Sequence, residues 1–197
     1  MRFALILSLA ACLLPLPVQG ADGDAQAGRI KAYTCTGCHG IEGYNNVYPT
    51  YKVPRIGGQN SIYLESALKA YQGEDRSHPT MSLHAESLSD TDIADIAAWL
   101  SSLGPGRHER DGAAEPPPAA QTCQACHGAD GMGTGPAYPA LAGQHRSYLS
   151  KALGDYRSGA RGNAIMRNFA ANLTDQDIEA LSAWFAGLDG LQDLSGQ

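Results

Sequence analysis

The stretch Cys35-Thr36-Gly37-Cys38-His39-Gly40 returns 88 residues later as Cys123-Gln124-Ala125-Cys126-His127-Gly128. Further on, Pro54-Arg55-Ile56-Gly57-Gly58-Gln59 returns as Pro139-Ala140-Leu141-Ala142-Gly143-Gln144, now at an offset of 85. That offset then holds without a gap. Tyr63 and Leu64 match Tyr148 and Leu149, Leu68 matches Leu153, Tyr71 matches Tyr156, Met81 matches Met166, Leu88 matches Leu173 and Trp99 matches Trp184. The drop in offset places a loop three residues longer after the first motif. Self-similarity sustained over such a span marks a duplicated structural unit of about 80 residues.

Both copies carry helical patterns. Ser89-Asp90-Thr91-Asp92 has the order of a capping box, and Ile93, Ile96, Ala97, Leu100 and Leu103 then follow one helical face until Gly104-Pro105 stops it. Thr174 to Asp177 opens the equivalent helix, continued by Ile178, Leu181, Phe185 and Leu188. A second helix per unit is expected over residues 61–72 and 146–158, and a first helix over residues 24–34. No convincing alternating strand pattern is present. The expected fold class is all-α. Between the copies, residues 104–121 contain Gly-Pro-Gly, a charged patch from Arg107 to Asp111 and Pro116-Pro117-Pro118, the composition of an extended linker.

Cys-x-x-Cys-His has a specific chemistry. Two cysteines separated by two residues in a helical turn place both sulfurs toward a porphyrin edge, where each can add across a vinyl group. The adjacent histidine then points at the iron. Rival uses fit less well. A structural zinc site pairs Cys and His from adjoining knuckles, whereas these motifs lie 88 residues apart, each with its own His. A redox dithiol wants a βαβ setting. A disulfide across two residues is strained. Two covalently bound haem c groups are therefore expected, attached through Cys35 and Cys38 and through Cys123 and Cys126, with His39 and His127 as proximal iron ligands.

A sixth ligand must come from the opposite face of the ring. Beyond the first 20 residues the chain has three methionines. Met81 and Met166 are repeat equivalents lying just before the last capped helix, and a thioether there raises the iron potential. Met132 follows its own proximal His by five residues and is read as loop. His78 and His84 are competing ligands beside Met81, but their counterparts are Asn163 and Phe169. Pro54 and Pro139 stand where a backbone carbonyl could hold the imidazole. Trp99, Trp184, Tyr71 and Tyr156 recur on helical faces and are expected to wall the pockets.

The N-terminus reads as a targeting segment. Arg2 is followed by an apolar run from Phe3 to Leu14, then by Pro15, Pro17 and Gly20, a secretory signal peptide cleaved after Gly20. The run is too short for a transmembrane helix. Leu9-Ala10-Ala11-Cys12 also resembles a lipoprotein cleavage box that would make Cys12 a lipid anchor, although more apolar sequence follows it. Without residues 1–20 the chain has 13 basic against 20 acidic residues, a net charge of −7. This balance argues against nucleic acid or an anionic membrane as the main partner. Charge is uneven. Residues 143–168 hold Arg146, Lys151, Arg157, Arg161 and Arg167 against Asp155, whereas residues 58–83 hold Lys69 and Arg76 against Glu65, Glu74 and Asp75. The second unit is expected to offer a redox partner the more positive face.

Cys-x-x-Cys-His-Gly twice, Pro-x-x-x-Gly-Gln followed by Tyr-Leu twice, and a methionine ahead of a Ser/Thr-Asp-x-Asp helix ending near Trp-Leu or Trp-Phe together resemble the cytochrome c4 family. The resemblance covers nearly all of residues 21–197. It implies two tandem cytochrome c-like domains, at 21–104 and 122–197, joined by a linker at 105–121. It implies iron ligation by His39 with Met81 and by His127 with Met166, and two haems packed across the domain interface. It further implies one-electron transfer in the periplasm, from a donor such as a quinol-oxidising complex to an acceptor such as a terminal oxidase. Peripheral membrane association is compatible with this reading, and an integral span is not. A cytochrome subunit of a periplasmic dehydrogenase of sulfur compounds is the alternative, and a dihaem peroxidase, which needs a labile distal site, is the enzyme reading. The chain departs from the pattern before Cys123, where three prolines replace the Gly28 and Tyr33 that precede Cys35. The first helix of the second domain is thus expected to be short or missing.

Overall fold

The computed structural model describes residues 23–107 and 115–197. The expected signal peptide, Cys12 and residues 108–111 of the charged patch lie outside the described residues. Within them the regular structure is helical, in the order α1 (Ala25–Lys31), α2 (Tyr33–His39), α3 (Ser61–Gln72), α4 (Pro79–Glu86), α5 (Asp90–Ser102), α6 (Ala120–His127), α7 (Arg146–Ser158), α8 (Ala164–Ala170) and α9 (Asp175–Ala186). Extended pairing is limited to isolated bridges.

Each half is a small helical unit of the same plan. The α5 and α9 helices begin with the expected capping boxes, Ser89 with Asp92 and Thr174 with Asp177. α3 packs on α5, and α7 on α9. Leu64, Ile96, Trp99 and Leu100 form the first core, and Leu149, Leu181, Trp184 and Phe185 the second. Fully burying one such side chain contributes about 1.5–3 kcal/mol, so cores this small leave much to other contacts.

The halves differ before the first cysteine. In the first half α1 lies across α5, and contact is so close that a Cβ on Gly28 would fall 1.9 Å from the Asp95 carbonyl oxygen. Lys31 then pairs with Asp92 at 2.8 Å and Asp95 at 2.5 Å. Among the described residues the second half has no counterpart of α1. Its chain enters α6 directly from the prolines. Ala120 and Gln121 belong to that helix rather than to the linker, because Ala120 is buried in the second core.

The linker and the tail are also less separate than expected. Gly106 pairs with Gly190, and Gly57 exchanges two 3.0 Å backbone bonds with Gln192. Leu194 then packs in the first core, and its N–H bonds the His39 carbonyl at 2.9 Å. Gln192 and Leu194 thus join the first half in space although they follow the second in sequence, while the Leu191 N–H still bonds the Ala142 carbonyl of the second at 2.8 Å.

Candidate functional site

The two Cys-x-x-Cys-His segments are helical turns, as their chemistry requires. His39 closes α2 and His127 closes α6. The following glycines differ in role, since Gly40 continues in a right-handed conformation while Gly128 has φ 80°, a region open chiefly to glycine. None of Cys35, Cys38, Cys123 and Cys126 is in a disulfide. Burial pushes the Cys35 and Cys123 thiols up, the opposite of an activated redox dithiol. Among the described residues no three His, Cys, Asp or Glu side chains gather as a metal site.

His39 and His127, the expected proximal ligands, are both buried and hydrogen-bonded. His39 Nδ1 lies 2.7 Å from the Pro54 carbonyl oxygen, and His127 Nδ1 lies 2.9 Å from that of Pro139. A carbonyl only accepts, so each Nδ1 carries the proton and each Nε2 keeps its lone pair. Burial pushes both imidazoles down, which keeps them neutral and able to ligate a metal. The two prolines singled out in the sequence are therefore the acceptors.

Met81 and Met166 sit in the first turn or so of the short helices α4 and α8, which the periodicity did not reveal. The backbone N–H of Met81 donates to His78 Nδ1 at 3.3 Å, and that of Met166 to Asn163 Oδ1 at 2.9 Å. His78 and Asn163 are thus equivalent N-caps. The other ring nitrogen of His78 bonds Asn46 Oδ1 at 3.0 Å, so neither is available to an iron. His84 is exposed on α4. The far ends of these helices are tied by another equivalent pair. Gln72 donates to the carbonyls of Ala85 and Leu88, and Arg157 to that of Leu173.

His39, Met81, His127 and Met166 all line one cavity of about 530 Å3 that runs across both halves. Cys35, Cys38 and Cys123 reach it as well. Cys126 does not line it, although it directly precedes His127 in α6. Tyr71 and Tyr156 line it as expected. Trp99 and Trp184 do not; they fill the two cores behind it.

Where the halves meet, the same residues face each other about an approximate twofold. Arg76 and Arg161 are equivalents at the offset of 85, and their backbones form an antiparallel bridge. Arg161 donates to Tyr63 at 2.9 Å, and Arg76 bonds Tyr148. Each guanidinium also lies 4.6 Å from the ring of its own half, Arg76 on Tyr71 and Arg161 on Tyr156. Burial opposes ionisation of Tyr63, yet Arg161 and Arg76 outweigh it and bring that hydroxyl down to about 8. Across the interface Gln59 bonds Ala140 and Gln144 bonds Arg55, both glutamines being buried. The interface role of Arg76, Arg161, Gln59 and Gln144 was not read in the sequence, although each pair recurs at the common offset of 85.

The expected positive face is correspondingly reduced. Arg161 is buried between the halves, Arg157 anchors the end of α8 and pairs with Asp175, Lys151 pairs with Asp155 and Arg146 with Glu179.

The donor set fits haem c. It supplies Cys35, Cys38 and Cys123 thiols, imidazole lone pairs and thioethers on one apolar cavity, with Cys126 in the same helical turn as His127. It also supplies two arginines without a carboxylate partner among the described residues, where the propionates of a haem would find positive charge. Comparison with known proteins agrees. The cytochrome c family model matches residues 25–104 and again 119–189. Cytochrome c4 of Azotobacter vinelandii is 37% identical over 92% of this chain and 98% of its own. A thiosulfate dehydrogenase electron acceptor of Stutzerimonas stutzeri is 31% identical over 93% of this chain and 94% of its own. The crystal structure of reduced recombinant cytochrome c4 from Pseudomonas stutzeri superposes with a TM-score of 0.68 at 34% identity, covering 84% of this chain and 99% of that one. No helix among the described residues is long and apolar enough to cross a membrane. The chain therefore belongs to the cytochrome c4 family, all-α electron carriers of tandem cytochrome c domains that work with haem c and redox protein partners.

Proposed function

We propose that the chain is a periplasmic dihaem electron carrier. One haem is attached at Cys35 and Cys38 with His39 and Met81 as iron ligands, the other at Cys123 and Cys126 with His127 and Met166. The observation that carries this reading is the duplication of the whole ligand support. Proline carbonyls hold both histidines, and side-chain caps hold both methionine helices.

Haem c supplies a one-electron iron couple whose potential a thioether ligand raises. The protein's residues do the rest. Pro54 and Pro139 orient the imidazoles. His78 and Asn163 set the start of each methionine helix. Leu64, Leu68, Leu149 and Leu153 line the cavity and exclude water. Arg76 and Arg161 hold positive charge at the interface and would stabilise carboxylates of the group there.

The carrier is proposed to be exported by a signal peptide cleaved after Gly20, and to take electrons from a quinol-oxidising complex and deliver them to a terminal oxidase. A second reading, in which it accepts electrons from a periplasmic dehydrogenase of sulfur compounds, draws support from the likeness to a thiosulfate dehydrogenase electron acceptor. A pyridine haemochrome assay should give two haems per chain, and the ferric protein should show the far-red methionine–iron band. One haem, or a high-spin ferric spectrum, overturns the ligation. N-terminal sequencing of the mature protein tests export. Reduction rates with a purified thiosulfate dehydrogenase, set against oxidation rates with an oxidase, separate the two partners.

A further inference from the structure

We propose that Gln59 and Gln144 are cross-domain positioning residues, each setting from one half the peptide that holds the proximal histidine of the other. The geometry is reciprocal. The Pro54–Arg55 peptide uses its carbonyl to accept from His39 Nδ1 at 2.7 Å, and its N–H donates to Gln144 Oε1 at 2.9 Å. The Pro139–Ala140 peptide accepts from His127 Nδ1 at 2.9 Å and donates to Gln59 Oε1 at 2.8 Å. The amide nitrogens close each contact, Gln144 Nε2 on the Arg55 carbonyl at 2.8 Å and Gln59 Nε2 on that of Ala140 at 3.0 Å. Orientation of the side-chain amides is determined, because each Oε1 also accepts the next backbone N–H, that of Asn60 or His145. Both glutamines are 4% exposed, so water does not substitute for these bonds.

A single peptide group thus links each histidine to the opposite domain. When the N–H of a peptide is engaged, its carbonyl becomes a better acceptor. A better acceptor at Nδ1 makes the imidazole a stronger donor to a metal. Stronger donation favours the higher oxidation state and lowers the potential. Gln144 therefore lowers the potential of the site containing His39, and Gln59 that of the site containing His127. Each half tunes the other through one side chain, which a plain adhesive role for the glutamines does not require.

The inference rests on the proposed ligation, and the test separates the two. Gln144→Met and Gln59→Met keep side-chain length while removing the bonds, and Gln144→Glu keeps an oxygen acceptor with added charge. Each is made in the full mature chain carrying its haems. The readouts are potentiometric titration and the hyperfine-shifted Nδ1–H resonances of the ferric protein, assigned to each half through neighbouring side chains. Gln144→Met is expected to move the His39 resonance and favour reduction of that site two- to threefold, about 18–28 mV at 59 mV per tenfold, with the His127 site unmoved. Gln59→Met should do the converse, and Gln144→Glu should shift the His39 site in the opposite direction. Shifts confined to the variant's own half, equal in both halves, or absent overturn the proposal. Should one variant not fold, the remaining two decide by the same crossed pattern. A parent protein lacking two sets of haem signals would instead overturn the ligation.

Discussion

His78 and Asn163 show how two unlike residues do one job. Both accept the N–H three residues on, that of Met81 or Met166. Asparagine is among the strongest N-caps, and its loss to alanine costs about 0.5–2 kcal/mol. Asn163→Ala should lower thermal stability by that amount and weaken the far-red methionine–iron band of the ferric protein, while Asn163→Ser should restore both. His145 gives a prediction in pH. Burial first, and then Arg55, pull its imidazole down to about 4, against the opposing pull of Asp193. The folded state therefore disfavours the proton that the unfolded chain accepts near 6.5. Stability from this site is complete above that value and is lost as pH falls from about 6.5 toward 4. Asn60 stands at the equivalent position in the first half. His145→Asn should flatten this part of the stability–pH curve, and urea unfolding at a series of pH values measures the difference from the parent.

At the scale of elements, helix α1 is too short to persist alone, since isolated helices below about 12–15 residues are marginal. It depends on its contact with α5, and Gly28 is what permits that contact. Gly28→Ala should destabilise the protein by about 1–3 kcal/mol through overpacking, against the gain in helix propensity expected of the same change at a surface site. Thermal unfolding gives the sign. The same elements show what can be read from sequence. α3, α5, α7 and α9 were legible because Leu64, Leu68 and Tyr71, or Ile93, Ile96 and Leu100, recur at helical spacing, in α5 and α9 behind a capping box. α4 and α8 were not, because they run only eight and seven residues and bury one alanine each, Ala85 and Ala170. One of them is also capped by a histidine. The pairing of His39 with the Pro54 carbonyl and of His127 with that of Pro139 was legible, because both members of each pair recur in the repeat. The cross-domain part of the site was hidden, because Gln59 and Gln144 make their bonds over 81 and 89 residues of chain. Sequence spacing within a repeat carries no information about which copy a side chain reaches.

In the whole molecule, the halves are joined by more than their twofold contact. After α9 the chain packs Leu188 on the second core and bonds Leu191 to Ala142, and it also pairs Gly190 with Gly106 and Gln192 with Gly57 before Leu194 enters the first core. Leu194 is 2% exposed, and its N–H holds the carbonyl of His39. The first half is therefore completed by residues that follow the second in sequence. Leu194→Ala removes a well-buried side chain and should cost about 2–5 kcal/mol. The loss should fall on the first half, where the leucine packs, rather than on the second, from which it extends. Trp99 and Trp184 lie one in each core, so a pair of variants, Trp99→Phe and Trp184→Phe, lets fluorescence follow each half in denaturant. With the parent tail the two midpoints should coincide, because docking couples the halves. With Leu194→Ala the Trp99 signal should move to lower denaturant than the Trp184 signal. An equal shift of both would place the tail's contribution in the joint between the halves and not in the first core.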